Sequence, residues 1–157
     1  MDSIPRPIYS LNLRRWLLIL ILPVWFAACV STPDVEENKD LARKKYDEAI
    51  GLQSLKMNDA MLAKLQEAVD LAPDETLYQI TLANALFSLE KLPEAEARYK
   101  TVIQLNPQLV EAYRQLGRLY MQQGDWANAE NYLEEALKRP GLVQPHELFN
   151  WLALTYY

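Results

Sequence analysis

The chain has 157 residues, half of them apolar, with 16 lysines and arginines against 21 aspartates and glutamates and a net charge of −5 at neutral pH. An acidic balance makes a poor partner for phosphate backbones or anionic headgroups, which excludes nucleic acid as a ligand. The single cysteine leaves no internal disulfide, and the length suits one domain with a modest core.

Arg14 and Arg15 precede an apolar run from Trp16 to Ala28 that holds Leu17, Leu18, Ile19, Leu20, Ile21 and Leu22 and leads into Phe26-Ala27-Ala28-Cys29. The run is about 13 residues, a bilayer-spanning helix needs roughly 20, and Pro23 interrupts it further. Charge, apolar core and small residues in that order predict a secretory signal, residues 1–28, that is removed. The stretch Phe26-Ala27-Ala28-Cys29 resembles the lipobox of bacterial lipoproteins, with Phe26 where leucine is usual. An ordinary secretory signal with an incidental cysteine would want a small residue at Phe26 as well. The resemblance implies an S-diacylglycerol on Cys29, cleavage before it and acylation of the new amine. This covalent lipid is the one prosthetic group expected. Val30, in place of aspartate, resembles the pattern for sorting to the outer membrane, with the protein on its periplasmic face. Without residues 1–28 the chain keeps 13 basic and 20 acidic side chains, a net charge of −7.

Residues 29–40 read as a lipidated flexible tether. Ser31 to Asp40 has Pro33, four acidic residues and only Val35 as a sizeable apolar side chain, too little burial to offset its ordering entropy.

Beyond it an internal repeat dominates. Pro73 and Pro107 are 34 residues apart, and the same offset superposes Leu82-Ala83 on Leu116-Gly117, Leu86 on Tyr120, Ala95 on Ala129, Tyr99 on Leu133 and Val102 on Ala136. Each matched position is apolar or small at helical spacing. Pro93 suits the first turn of a second helix, Asp125 suits an N-cap, and the prolines after Ala72 and Asn106 end second helices. The motif Tyr113-x-x-Leu116-Gly117-x-x-Tyr120, with Ala129, Leu133, Ala136 and Pro107, resembles the tetratricopeptide family. The fold class expected is all-α: a right-handed superhelix of antiparallel helix pairs over residues 41–157. Its units are about 42–75, 76–109 and 110–143, with a truncated unit from 146. The first is degenerate, with Leu52, Met61, Leu65 and Ala68 in register but Glu48 at a leucine position. Ala83, Gly117 and Ala153 fall where the helices of a unit approach closely. The last unit restarts at Leu152-Ala153-x-x-Tyr156, 36 residues after Leu116-Gly117, and its apolar face predicts that the chain is a piece of a longer protein.

Catalysis has little footing. There is no glycine-rich phosphate cradle, no nucleophile elbow and no histidine pair for a metal; His146 stands alone in a predicted loop, Gln144 to Glu147. Neither catalytic nor metal-binding residues are expected. Glu94-x-Glu96 and Glu134-Glu135 read as charge on solvated helix faces. Tyr113, Tyr120, Trp126 and Tyr132 read as packing residues.

In tetratricopeptide arrays the first helices line a concave groove. That face maps here onto Leu77, Ile80, Asn84, Phe87 and Ser88 in one unit and Glu111, Arg114, Arg118, Met121 and Gln122 in the next. An apolar strip beside two arginines and a methionine predicts a peptide-binding surface. The competing reading is that the first unit covers Ile80 and Phe87. The set lacks the lysine and asparagine clamp by which some arrays hold a terminal carboxylate.

A lipobox followed by such an array resembles the type IV pilus biogenesis lipoproteins, the pilotin family. The family-like detail is the stretch from Glu135 to Tyr157, where a lengthened loop through Pro140 and Pro145 precedes the restarted unit. The resemblance implies outer-membrane secretin subunits or other pilus assembly components as partners, helped to reach the membrane and to form multimers. The alternative is an adaptor that docks cell-wall hydrolases or synthases through the same groove.

Overall fold

Helices begin and end in this chain at proline, aspartate and left-handed turns, and they recur at a fixed spacing. A computed structural model describes residues 33–140 and 145–155, which form seven helices: α1 (Pro33–Ser54), α2 (Asn58–Leu71), α3 (Thr76–Ser88), α4 (Leu92–Leu105), α5 (Val110–Gln123), α6 (Trp126–Leu137) and α7 (Pro145–Thr155). The signal, Cys29 and the start of the tether lie outside the described residues. The chain divides into compact units Met1–Glu36 and Glu37–Tyr157. Of the first, only Pro33–Glu36 are described, and they are helical.

Two expectations are corrected. Pro33 to Asp40 is helix and not tether, although every side chain from Val35 to Leu41 is exposed. Pro33 suits a first helical position, and Glu36 and Glu37 complement the positive end of the helix. Once Ala42 and Ala49, both 0 % exposed, anchor the helix, extending it outward costs little. His146 likewise sits in the first turn of α7, not in a loop, because Pro145 starts that helix.

Thr76 and Val110 start α3 and α5, 34 residues apart, and the turns inside the units repeat more strictly still. Lys56, Glu90 and Gly124, each 34 residues from the next, are the three described residues with positive φ, at 57°, 60° and 74°. After each, an amide reaches back across the end of the first helix: Met57 to Leu52 at 3.2 Å, Lys91 to Leu86 at 3.0 Å and Asp125 to Tyr120 at 2.9 Å. This is the Schellman closure, which favours glycine at the left-handed residue. Only the third turn has it. Asp125 also caps α6, accepting from the Asn128 amide at 3.2 Å, whereas Met57 and Lys91 offer no side-chain cap. Glu90→Gly is therefore expected to stabilise the protein by about 1 kcal/mol, the left-handed strain relieved less the added freedom of the unfolded chain. Chemical denaturation checks this, and a loss of stability would contradict the turn geometry.

Packing follows the register. Met61, Leu65 and Ala68 of α2, Ala95, Tyr99 and Val102 of α4, and Ala129, Leu133 and Ala136 of α6 are all buried. Facing them on the first helices are Ala49, Ala83 and Gly117, spaced by 34 and closely approached. Gln79 and Tyr113 are also 34 apart, and each donates to a proline carbonyl: Gln79 Nε2 to Pro73 O at 2.9 Å, Tyr113 OH to Pro107 O at 3.1 Å. The repeat keeps the bond while changing the residue. Glu48, at a leucine position, is exposed and pairs with Lys64 at 3.7 Å, and Lys45 meets Glu67 at 2.7 Å, so α1 and α2 are joined partly by surface ion pairs. Trp126, read as packing, is 48 % exposed at the start of α6. Tyr120 and Tyr132 do pack, stacked with centroids 5.4 Å apart.

Candidate functional site

α3 and α5 set equivalent faces side by side, and α7 adds a third. Asn84, Phe87, Ser88 and Glu90 from the α3 end and Gln115, Arg118 and Gln122 from α5 line an open recess of about 350 Å³. Its floor is fixed from below: the Tyr99 hydroxyl, on a fully buried side chain of α4, donates to Asn84 Oδ1 at 2.7 Å. Burial pushes the Tyr99 phenol well above the usual tyrosine range, so it remains a donor.

The apolar strip is graded. Leu77 is 50 % exposed, while Ile80 and Phe87 are half-buried and packed against the core. The core beneath thus covers part of the strip without closing it. Met121 is half-buried between the two core clusters, and Gln122 is exposed at the rim.

The two arginines have different surroundings. Arg114 Nε donates to Glu111 Oε2 at 2.8 Å and Nη1 to Glu147 Oε2 of α7 at 3.3 Å. Glu111 also accepts from Gln115 Nε2 at 2.6 Å, so Glu111 and Arg114 are occupied by one another and by their neighbours. Arg118 has no carboxylate within 4.0 Å among the described residues. Its guanidinium carbon lies 5.2 Å from the Phe87 ring centre and 5.5 Å from that of Trp151, and Nη1 donates to Gln115 Oε1 at 3.0 Å.

Trp151, Glu147 and Gln115 were not among the expected groove residues. The 36-residue offset that relates Leu152 to Leu116 also relates Trp151 to Gln115 and Glu147 to Glu111, so the same register could have placed them. Glu96 is not a bystander on a solvated face. It accepts from Lys100 Nζ at 2.6 Å and from the Tyr120 hydroxyl at 2.7 Å, and these bonds, Lys100 first, hold its carboxyl below the usual range. It fastens α4 to α5. Glu135 is similarly engaged by Lys138 at 2.8 Å and Arg139 at 2.9 Å. Among the described residues no cluster of three or more His, Cys, Asp or Glu could hold a metal, and no helix is long and apolar enough to cross a membrane.

Paired helices stacked in register, with an open face built from the first helix of each pair, define a helical-repeat protein. Within it, residues 83–124 match the family model described as TPR repeat, and residues 110–139 match the model described as Tetratricopeptide repeat. Tetratricopeptide repeat protein 5 of Mus musculus is 29 % identical over 104 residues, 66 % of this chain and 20 % of that protein. The chain thus matches about a fifth of the length of that curated relative. Among solved structures, the first TPR domain of Spaghetti (RPAP3) bound to an HSP90 peptide shares the fold with a TM-score of 0.67 and 19 % identity, covering 75 % of this chain and 92 % of that one. The Yersinia enterocolitica type III secretion chaperone SycD, solved with a peptide of the translocator YopD, does so with a TM-score of 0.69 and 13 % identity, covering 74 % and 93 %.

Proposed function

We propose that this protein is a non-catalytic scaffold that holds a peptide segment of a protein partner in the groove of α3, α5 and α7. The observation that carries this reading is the recess beside Phe87 and Arg118, where half-buried apolar surface adjoins a cation with no acidic partner among the described residues. Arginine and aromatic side chains of this kind are the usual sources of binding energy at interfaces. Two solved proteins of the same fold, the Spaghetti domain and SycD, are peptide complexes. The sequence adds the setting. The lipobox-like Phe26-Ala27-Ala28-Cys29 supports a lipid anchor on Cys29, and Val30 supports outer-membrane sorting to the periplasmic face. Together with the stretch from Glu135 to Tyr157, this favours a type IV pilus biogenesis lipoprotein whose partners are secretin subunits, brought to the membrane and helped to form multimers.

The test is a titration of the full chain, held in detergent micelles, with purified secretin subunits. Saturable binding that weakens in Phe87→Ala while folding persists is expected. Absence of binding by the unaltered protein would remove the pilus assignment.

A further inference from the structure

We propose that Arg118 is the recognition point for one acidic side chain, aspartate or glutamate, of the bound segment, and that Arg114 has no such role. The inference rests on the groove reading above and adds the chemistry of the occupant.

Charge sets Arg118 apart. In a chain of net charge −5, an arginine in an open recess with no carboxylate within 4.0 Å among the described residues is an uncompensated cation. Arg114, one turn away, is compensated twice, by Glu111 and Glu147. Glu90 lines the same recess as Arg118 but makes no ion pair with it.

Geometry then narrows the ligand. The guanidinium carbon lies over the rings of both Phe87 and Trp151, 5.2 and 5.5 Å from their centres, while the side chain stays exposed. Its N–H groups point outward in the guanidinium plane. One edge nitrogen is used by Gln115 Oε1 at 3.0 Å, and the other N–H groups lie in the plane that suits the two oxygens of a carboxylate. The two nearby rings and the bond to Gln115 also restrain the group before the ligand arrives, which lowers the ordering cost of binding. The recess lies at the C-terminal end of α3, with Leu77 about 15 Å back along the same helix and the Trp151 ring of α7 close to Arg118. A segment that covers the exposed Leu77 and continues along α3 to the Trp151 ring crosses the recess with a side chain, and the test below separates that carboxylate from a chain end.

The test uses a library of random 12-residue peptides selected against the full chain in detergent micelles. Selected peptides are expected to share an aspartate or glutamate at a fixed spacing from a large apolar residue. Replacing that acid by its amide should weaken binding about tenfold or more. Arg118→Lys should weaken the acidic peptide to a similar degree, because lysine keeps the charge but loses the planar fork. Blocking the peptide C-terminus as an amide should change nothing. Selected peptides without an acid, an Arg118→Lys variant that binds as tightly as the unaltered protein, or binding lost only on blocking the C-terminus would each overturn the proposal. Melting of Arg118→Lys reports whether it folds, and the acid-to-amide exchange tests the same contact on the unaltered protein. The result is independent of whether secretin subunits bind, so failure here and failure of the pilus assignment remain distinct.

Discussion

Gly117→Leu is expected to destabilise the protein by about 1 to 3 kcal/mol, although leucine is the better helix former by up to about 1 kcal/mol. The reason is the neighbour. A Cβ on Gly117 would lie 2.5 Å from Leu133 Cδ2, 2.7 Å from its Cγ and 3.5 Å from the Ala129 carbonyl. Leu133 and Ala129 are both 0 % exposed, so the leucine has nowhere to retreat and α5 and α6 must move apart. Burial and helix propensity pull in opposite directions here, which makes the sign of the change informative. Chemical denaturation measures it. A neutral or stabilised Gly117→Leu would mean that the helices of this unit do not meet at this residue.

The second large effect concerns the anchor. On the lipoprotein reading, Cys29→Ser abolishes incorporation of labelled fatty acid. The effect is complete because Cys29 is the only thiol in the chain and the signal core is too short to span. Two or three acyl chains suffice for stable attachment, whereas one is marginal. Labelling that survives the substitution would contradict the lipid assignment, as would a mature N-terminus at another residue.

The repeat was legible because it is written in residue size. Pro73 and Pro107, the alanine and glycine positions, and the buried leucines recur at the spacing that the helices then show, and packing leaves those positions few substitutes. What the period also held, but residue type concealed, was the turn inside each unit. Lys56 and Glu90 give no hint of a left-handed backbone, and only their offset from Gly124 does. The helical start of α1 was missed for a different reason. Little in this stretch can be buried, yet Pro33 to Asp40 is ordered by local backbone bonds extending a helix that is packed further along.

The groove was legible as a face but not as a set of roles. Arg114 and Arg118 look alike in sequence, one turn apart on the same side of α5. Trp151 of α7 lies near both; their difference is that Glu111 and Glu147 pair with Arg114 alone, and the contact with α7, made after a lengthened connection, is not encoded near either arginine. Trp126 shows the converse. An aromatic beside core positions was read as packing, but at the first position of α6 it stands half in solvent.

The central claim is that partners bind the face of the first helices, and site-specific photocross-linking tests it most directly. A benzoylphenylalanine in place of Leu77, exposed on the groove face of α3, is compared with one in place of Ala97, exposed on α4 beside Leu62 and Arg98. Secretin subunits are expected to cross-link from position 77 and not from position 97. Cross-linking from position 97 alone would place the partner on the second helices and contradict the account.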